Sequence, residues 1–160
     1  MTAKILCLTR GGEASYPNQD GAIAIAKDQD EELLFLYITS VQFLDYSAAP
    51  KVVDIESELD EMGEFLLVMA QERARKAGVV ADILVRRGNF SEVLKDVVQE
   101  YPIETVILGS STGDTGVITE EYISEITEEI SREYDVEFII LKDGNIQITF
   151  EIDNDWEESQ

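Results

Sequence analysis

Thr105-Val106-Ile107-Leu108-Gly109-Ser110-Ser111-Thr112-Gly113 is the stretch on which the fold reading turns. Thr105–Gly109 reads as a buried strand that stops at a glycine and passes into small hydroxyl residues ahead of a helix. At such junctions open α/β sheets expose backbone N–H groups to anions.

The segments on either side alternate in the same manner. Upstream, Asn89 or Ser91 caps a helix running to Tyr101, with Phe90, Val93, Leu94, Val97 and Val98 apolar and Pro102 blocking its continuation. Val79–Arg86 is a strand. Before it, Asp54–Ala77 is the longest helix: Ile55, Leu59, Met62, Leu66 and Met69 recur at helical spacing, which assigns the methionines to the core, and Gly78 ends it. Val41–Lys51 is a polar and aromatic connection carrying Pro50. Glu32–Thr39 is a nearly continuous apolar run, as a strand covered on both faces requires. Ser15 caps an earlier helix with Pro17 in its first turn and Ala22, Ile23 and Ala26 on one face. Ala3–Thr9 is the opening strand, and Arg10-Gly11-Gly12 the turn after it. Downstream, Thr119–Arg132 is a helix on Ile123, Ile126 and Ile130, and Val136–Leu141 is a fifth strand. Strands alternating with helices call for an open parallel sheet with right-handed crossovers and helices on both faces. The glycine junction then places a ligand site at the carboxyl ends of the strands.

The last part of the chain departs from this pattern. Lys142-Asp143-Gly144-Asn145 lies between two strand-like runs, and Asp-Gly is a strong signal for a tight hairpin. Ile146, Ile148, Phe150 and Ile152 then alternate with Gln147, Thr149 and Glu151, the pattern of a half-buried antiparallel edge strand. Residues 1–152 are expected to form one domain, and the acidic residues 153–160, with Trp156, a solvated tail.

Composition narrows the function. With 34 acidic and 12 basic side chains the net charge is −22, which repels nucleic acid and anionic lipid. The chain has no histidine, so Ser–His and Cys–His nucleophilic catalysis are excluded, and with a single cysteine so are the usual zinc sites. Cys7, inside the first strand, reads as a small buried hydrophobe. No run of about 18 apolar residues spans a membrane, and the N-terminus lacks the apolar core of a signal peptide. A cytoplasmic location is expected.

From the first strand to Leu141 the chain resembles the universal stress protein family. The likeness rests on Ile5-Leu6-Cys7-Leu8-Thr9-Arg10-Gly11-Gly12-Glu13, which looks like that family's opening strand and Asp-Gly-Ser-Glu turn. It rests also on Gly88 and the polar residue opening the third helix, and on Val106-Ile107-Leu108-Gly109-Ser110. The resemblance implies a five-stranded sheet of order 3-2-1-4-5, here with an added C-terminal edge strand, and homodimers that often pair through the fifth strand. Members that bind ATP carry Gly-x2-Gly-x9-Gly-Ser or Gly-Thr. Here Gly109 matches the first position, Thr112 replaces the second glycine, and the count ends on Tyr122-Ile123 with Ser124 next. The shifted register Gly113-Asp114-Thr115-Gly116 reaches Ile126-Thr127 instead. The family's nucleoside-contacting Asp falls on Arg10, a charge reversal, and Glu120 and Glu121, with Asp114 ahead of them, bring carboxylates to a helix start that a phosphate would use.

Arg10, Arg86 and Arg87 all come at strand ends on the ligand edge, where they serve either a small-anion pocket or ion pairs to helix carboxylates. The expected function is a regulatory or interaction module, a homodimer through the sheet edge at Val136–Leu141 and Ile146–Ile152, without ordinary ATP binding, catalytic residues or metal. The alternative is a nucleotide- or small-anion-binding switch for ATP or AMP, around Arg10 and Gly109. The candidate ligand-binding residues are Arg10, Gly11, Gly12, Ile38, Gly109, Ser110, Thr112, Gly113 and Ser124.

Overall fold

A computed structural model describes residues 3–9, 15–39, 49–109 and 120–150 of the chain. The elements run β1 (Ile5–Leu8), α1 (Tyr16–Gln29), β2 (Leu33–Thr39), α2 (Ala49–Lys76), β3 (Ala81–Arg87), α3 (Phe90–Glu100), β4 (Thr105–Gly109), α4 (Glu120–Tyr134), β5 (Glu137–Lys142) and β6 (Asn145–Phe150). They build one six-stranded sheet of order β3-β2-β1-β4-β5-β6, as the alternating pattern and the resemblance imply. The first five strands are parallel and β6 is antiparallel to β5.

The apolar runs of β1, β2 and β4 have no polar side because helices cover both faces of the sheet. One layer buries Leu6, Leu34, Leu36, Val106 and Leu108 under Val93, Leu94 and Val97 of α3 and Ile126 and Ile130 of α4. The other buries Ile5, Cys7, Leu33, Phe35 and Ile107 under Ala22, Ile23 and Ala26 of α1 and Leu67, Ala70 and Ala74 of α2. Each full-sized apolar side chain taken out of water in these layers stabilises the fold by about 1.5–3 kcal/mol. Asn89 is the residue that caps α3, its side-chain oxygen accepting from the N–H groups of Ser91 at 3.0 Å and Glu92 at 3.3 Å.

Several expectations are corrected. Met62 and Met69 are exposed, not core. The face of α2 that meets the sheet is instead Gly63, Leu67, Ala70 and Ala74. A Cβ on Gly63 would come within 2.8 Å of the Tyr37 ring, so the helix lies too close to β2 there for a larger residue. Small residues therefore face inward, and the methionine stripe is rotated to the outside. The helix also begins at Ala49, so Pro50 lies in its first turn rather than in a connection. Ser15 precedes α1 without a side-chain cap bond; its backbone is already helical, which turns the hydroxyl away from the first free N–H groups. The turn Arg10-Gly11-Gly12, most of the 41–51 connection, the junction after Gly109 and the tail 153–160 lie outside the described residues, as do the side chains of Ile55, Leu59 and Ile123.

The hairpin forms as Asp143-Gly144 requires: both residues have positive φ, 52° and 85°, the backbone of a tight two-residue turn between paired strands. One detail departs from simple alternation. The pairing shifts register between Ile140 and Leu141, so Ile148 opposes Ile140 while Ile146 opposes Leu141. The extra residue on β6 breaks the period of two, and Ile146 is left exposed.

Burial pushes the Cys7 thiol up to about 12 from an ordinary 9.0. The folded state therefore keeps its proton while the unfolded thiol ionises, and stability falls as pH rises from about 9 towards 12. At neutral pH a thiol reagent is expected to label Cys7 only at the rate of unfolding; prompt stoichiometric labelling of the native protein would contradict its burial.

Candidate functional site

Parallel pairing brings the carboxyl ends of β3, β2, β1 and β4 to a single edge. Leu8 stands beside Leu36, Cys7 beside Ile107, and Ile38 beside Arg86. Thr9, Thr39, Arg87 and Gly109 therefore terminate their strands on the same side of the molecule, where open parallel sheets bind ligands.

The chain's own side chains occupy part of this edge, at the ends of β1 and β4. Gln19 on α1 is 1% exposed. Its amide nitrogen donates to the Thr9 hydroxyl at 2.8 Å, and its oxygen accepts from Arg73 Nη1 of α2, also at 2.8 Å. The Arg73 guanidinium also pairs with Asp20 and lies 4.1 Å above the centre of the Tyr16 ring. A second bracket joins α1 to β4 and the β5–β6 turn. Asn18 Oδ1 accepts from the Gly144 N–H at 2.8 Å, and a Cβ on Gly109 would come within 2.8 Å of Asn18 Nδ2. Gly109 thus has a packing reason to be glycine: a pinned carboxamide lies where its side chain would be.

Of the candidate ligand-binding residues, the described part of the structure places three. Gly109 ends β4 against Asn18, Ile38 is half-buried near the end of β2 against the α3–α4 layer, and Ser124 lies on the first turns of α4. Arg10, Gly11, Gly12, Ser110, Thr112 and Gly113 lie outside the described residues. Arg86 forms two hydrogen bonds to Glu100 of α3, at 2.9 and 3.0 Å, and this guanidinium holds the Glu100 carboxyl below the usual carboxylate range. It is an ion-pair partner, the second of the two roles open to it from sequence.

Sequence reasoning missed Asn18, Gln19, Arg73 and Thr39. A signal existed for one of them, since Gln19 shares the helical stripe of Ala22, Ile23 and Ala26 and a polar residue there must find a partner. Thr39 gave none, as it simply closes an apolar run. It is 4% exposed, and its hydroxyl has no hydrogen-bond partner among the described residues.

The sequence profile of the universal stress protein family matches residues 1–137. This chain belongs to the universal stress protein family. Universal stress protein YxiE of Bacillus subtilis (strain 168) is 25% identical over 118 residues, 69% of this chain and 80% of that protein. The solved structure of universal stress protein UspA from Lactobacillus plantarum superposes with a TM-score of 0.69 at 12% identity, covering 88% of this chain and 99% of that one. A universal stress protein family protein from Arabidopsis thaliana with AMP bound gives a TM-score of 0.55 at 12% identity, over 88% and 91% of the two chains. The sheet order and helix placement of this universal stress protein are thus those of its structural neighbours.

The Asn18–Gly144–Gly109 bracket makes the hairpin turn part of the site's support. Gly144 has φ +85°, and a Cβ there would lie 2.8 Å from the Pro17 carbonyl oxygen. Gly144→Ala is expected to destabilise the protein by about 1–3 kcal/mol, combining left-handed strain with loss of close approach to α1. Urea unfolding measures this, and a change below about 0.5 kcal/mol, the range of an ordinary surface substitution, would contradict the contact.

Proposed function

We propose that this universal stress protein works as a regulatory or interaction module, cytoplasmic and homodimeric, without ordinary ATP binding and without catalysis. Residues 1–152 form its one domain and 153–160 an acidic tail. The observation that carries this reading is the Asn18 carboxamide seated against Gly109. In a phosphate site that glycine leaves its backbone open to the ligand. Here a side chain of α1, held by the N–H of Gly144, takes up the approach. Thr112 in place of the motif's second glycine and Arg10 in place of the acidic nucleoside contact support the same conclusion.

A second reading has its own support. The buried Thr39 hydroxyl at the carboxyl edge has no partner among the described residues, and such a group costs about 1–3 kcal/mol unless something satisfies it. A nucleotide monophosphate or other small anion held between β2 and Arg10 would supply that partner, and the Arabidopsis relative was solved with AMP bound. Ile38, Gly109, Ser110, Thr112, Gly113 and Ser124, with Gly11 and Gly12, would then line the pocket.

Thermal unfolding with and without millimolar ATP, ADP or AMP, each with and without Mg²⁺, separates the two. Ligand at a hundred times its dissociation constant stabilises by about 2.7 kcal/mol, a midpoint rise of roughly 5–10 °C for a chain of this size. The module reading predicts an unchanged midpoint. A rise of that size, abolished by Arg10→Ala, would establish the anion switch instead.

A further inference from the structure

Among the described strands β3 ends the sheet, and its only strand neighbour is β2. Successive residues of a strand turn their backbone groups to opposite sides, and the bonds at the two ends of β3 say which residues face inward. The Leu33 N–H donates to the Val80 carbonyl at 3.0 Å, and the Gly88 N–H donates to the Thr39 carbonyl at 3.1 Å. The even-numbered residues of β3 therefore bond to β2, and Ala81, Ile83, Val85 and Arg87 aim their N–H and C=O groups at the open edge. The Ala81 carbonyl accepts from the Gln71 amide of α2, at 2.8 Å. The outward groups of Ile83 and Val85 form no bond to another described residue, so the middle of β3 is a template for a further strand.

The side chains of β3 say which strand fits. Ile83 and Val85 pack with the α1–α2 layer and Leu84 with the α3–α4 layer, so Asp82, Leu84 and Arg86 share one face. The order Asp82-Ile83-Leu84-Val85-Arg86 is complementary to itself when reversed. With two copies antiparallel about Leu84, Ile83 of each exchanges N–H and C=O bonds with Val85 of the other. Leu84 then meets Leu84, and Asp82 stands opposite Arg86 as a non-hydrogen-bonded pair, the kind whose side chains come closest. Moving the centre by one residue, to Ile83 or Val85, puts a charge opposite Leu84 instead and forfeits both ion pairs. Asp82 forms no ion pair with another described residue. Arg86 gives Nη1 and Nη2 to Glu100, and a guanidinium has further N–H groups for a second carboxylate. An extended peptide of other sequence would find the same backbone groups, but β3 itself supplies both charges in register.

We propose that β3 is where a second copy of this chain docks, edge to edge and antiparallel about a two-fold axis at Leu84, joining the two sheets into one. The proposal rests on the homodimeric part of the functional reading. It places the contact at the sheet edge opposite β5 and β6, where β5 is already paired with β6 of its own chain. It is independent of whether nucleotide binds.

Sedimentation equilibrium of the full chain over a range of micromolar concentrations tests it. The wild type is expected to be a dimer. Val85→Pro removes an N–H that faces the open edge, so the subunit keeps its bonds to β2 while the dimer loses a symmetric pair. It is expected to raise the dissociation constant by about tenfold or more. Asp82→Arg and Arg86→Asp each oppose like charges across the axis, and each is expected to raise it by about tenfold or more. Mixed in equal amounts, these two variants are expected to associate with each other nearly as tightly as the wild type, because in the same register their charges are again opposite. Circular dichroism melts confirm that each variant is folded; Val85→Pro and Asp82→Arg decide the matter if Arg86→Asp, which also loses its bonds to Glu100, is not. A monomeric wild type would overturn both the proposal and the homodimeric reading. A dimer indifferent to Val85→Pro and Asp82→Arg would overturn the β3 interface and leave the homodimeric reading standing. Folded charge variants that stay apart when mixed would overturn the register about Leu84.

Discussion

One carboxamide, that of Asn18, couples three parts of the molecule that lie far apart in sequence. Its oxygen holds the N–H of Gly144 in the β5–β6 turn, and its nitrogen lies over Gly109 at the end of β4. Beside it, Gln19 joins the end of β1 to Arg73 of α2. The first turn of α1 is thereby fixed to the carboxyl edge of the sheet, and the added hairpin is fixed to α1. Each bond is worth only about 1 kcal/mol net, but a buried amide left without its partners costs more than that. These bonds are mutually dependent in a way the apolar layers are not.

Consequences for function follow from where the bracket sits. The carboxyl edge is the part of a parallel sheet with unsatisfied N–H groups and no helix above it, which is why ligands collect there. In this universal stress protein, α1 side chains satisfy part of that edge from within. The hairpin reinforces the arrangement, since Gly144 reaches Asn18 only because an Asp-Gly turn with both φ values positive aims its N–H at α1. The extra strand, which also covers the β5 edge, supports the carboxyl edge as well as the end of the sheet.

Much of this architecture was legible from residue pattern. Continuous apolar runs at 33–39 and 105–109 could belong only to strands covered on both sides, and Asp143-Gly144 could hardly be anything but a hairpin turn. What misled was α2. Its methionines, Met62 and Met69, recur at helical spacing on a face that proved to be the outer one, because close approach to Tyr37 demands glycine and alanine on the inner face. Periodicity finds an apolar stripe; it does not reveal that small residues can form the true contact face and leave larger ones exposed. The site was legible only in outline. Gly109 was identified as special from its place after a strand, but the reason for it, a carboxamide 91 positions earlier in the chain, is a tertiary contact that no local pattern encodes. Arg86 shows the same limit, since its pairing to Glu100 depends on how α3 returns along β3.

The most direct test of this coupling is a double-mutant cycle between Asn18 and Gly109, read by equilibrium unfolding in urea. Gly109→Ala alone should destabilise the protein by about 1 kcal/mol or more, because the new methyl displaces the Asn18 amide from its bond to Gly144. In the Asn18→Ala background the same substitution should cost little, giving an interaction energy of about 1 kcal/mol. Strictly additive effects would mean that Asn18 and Gly109 do not share that space, and the glycine would then have to be explained by a ligand.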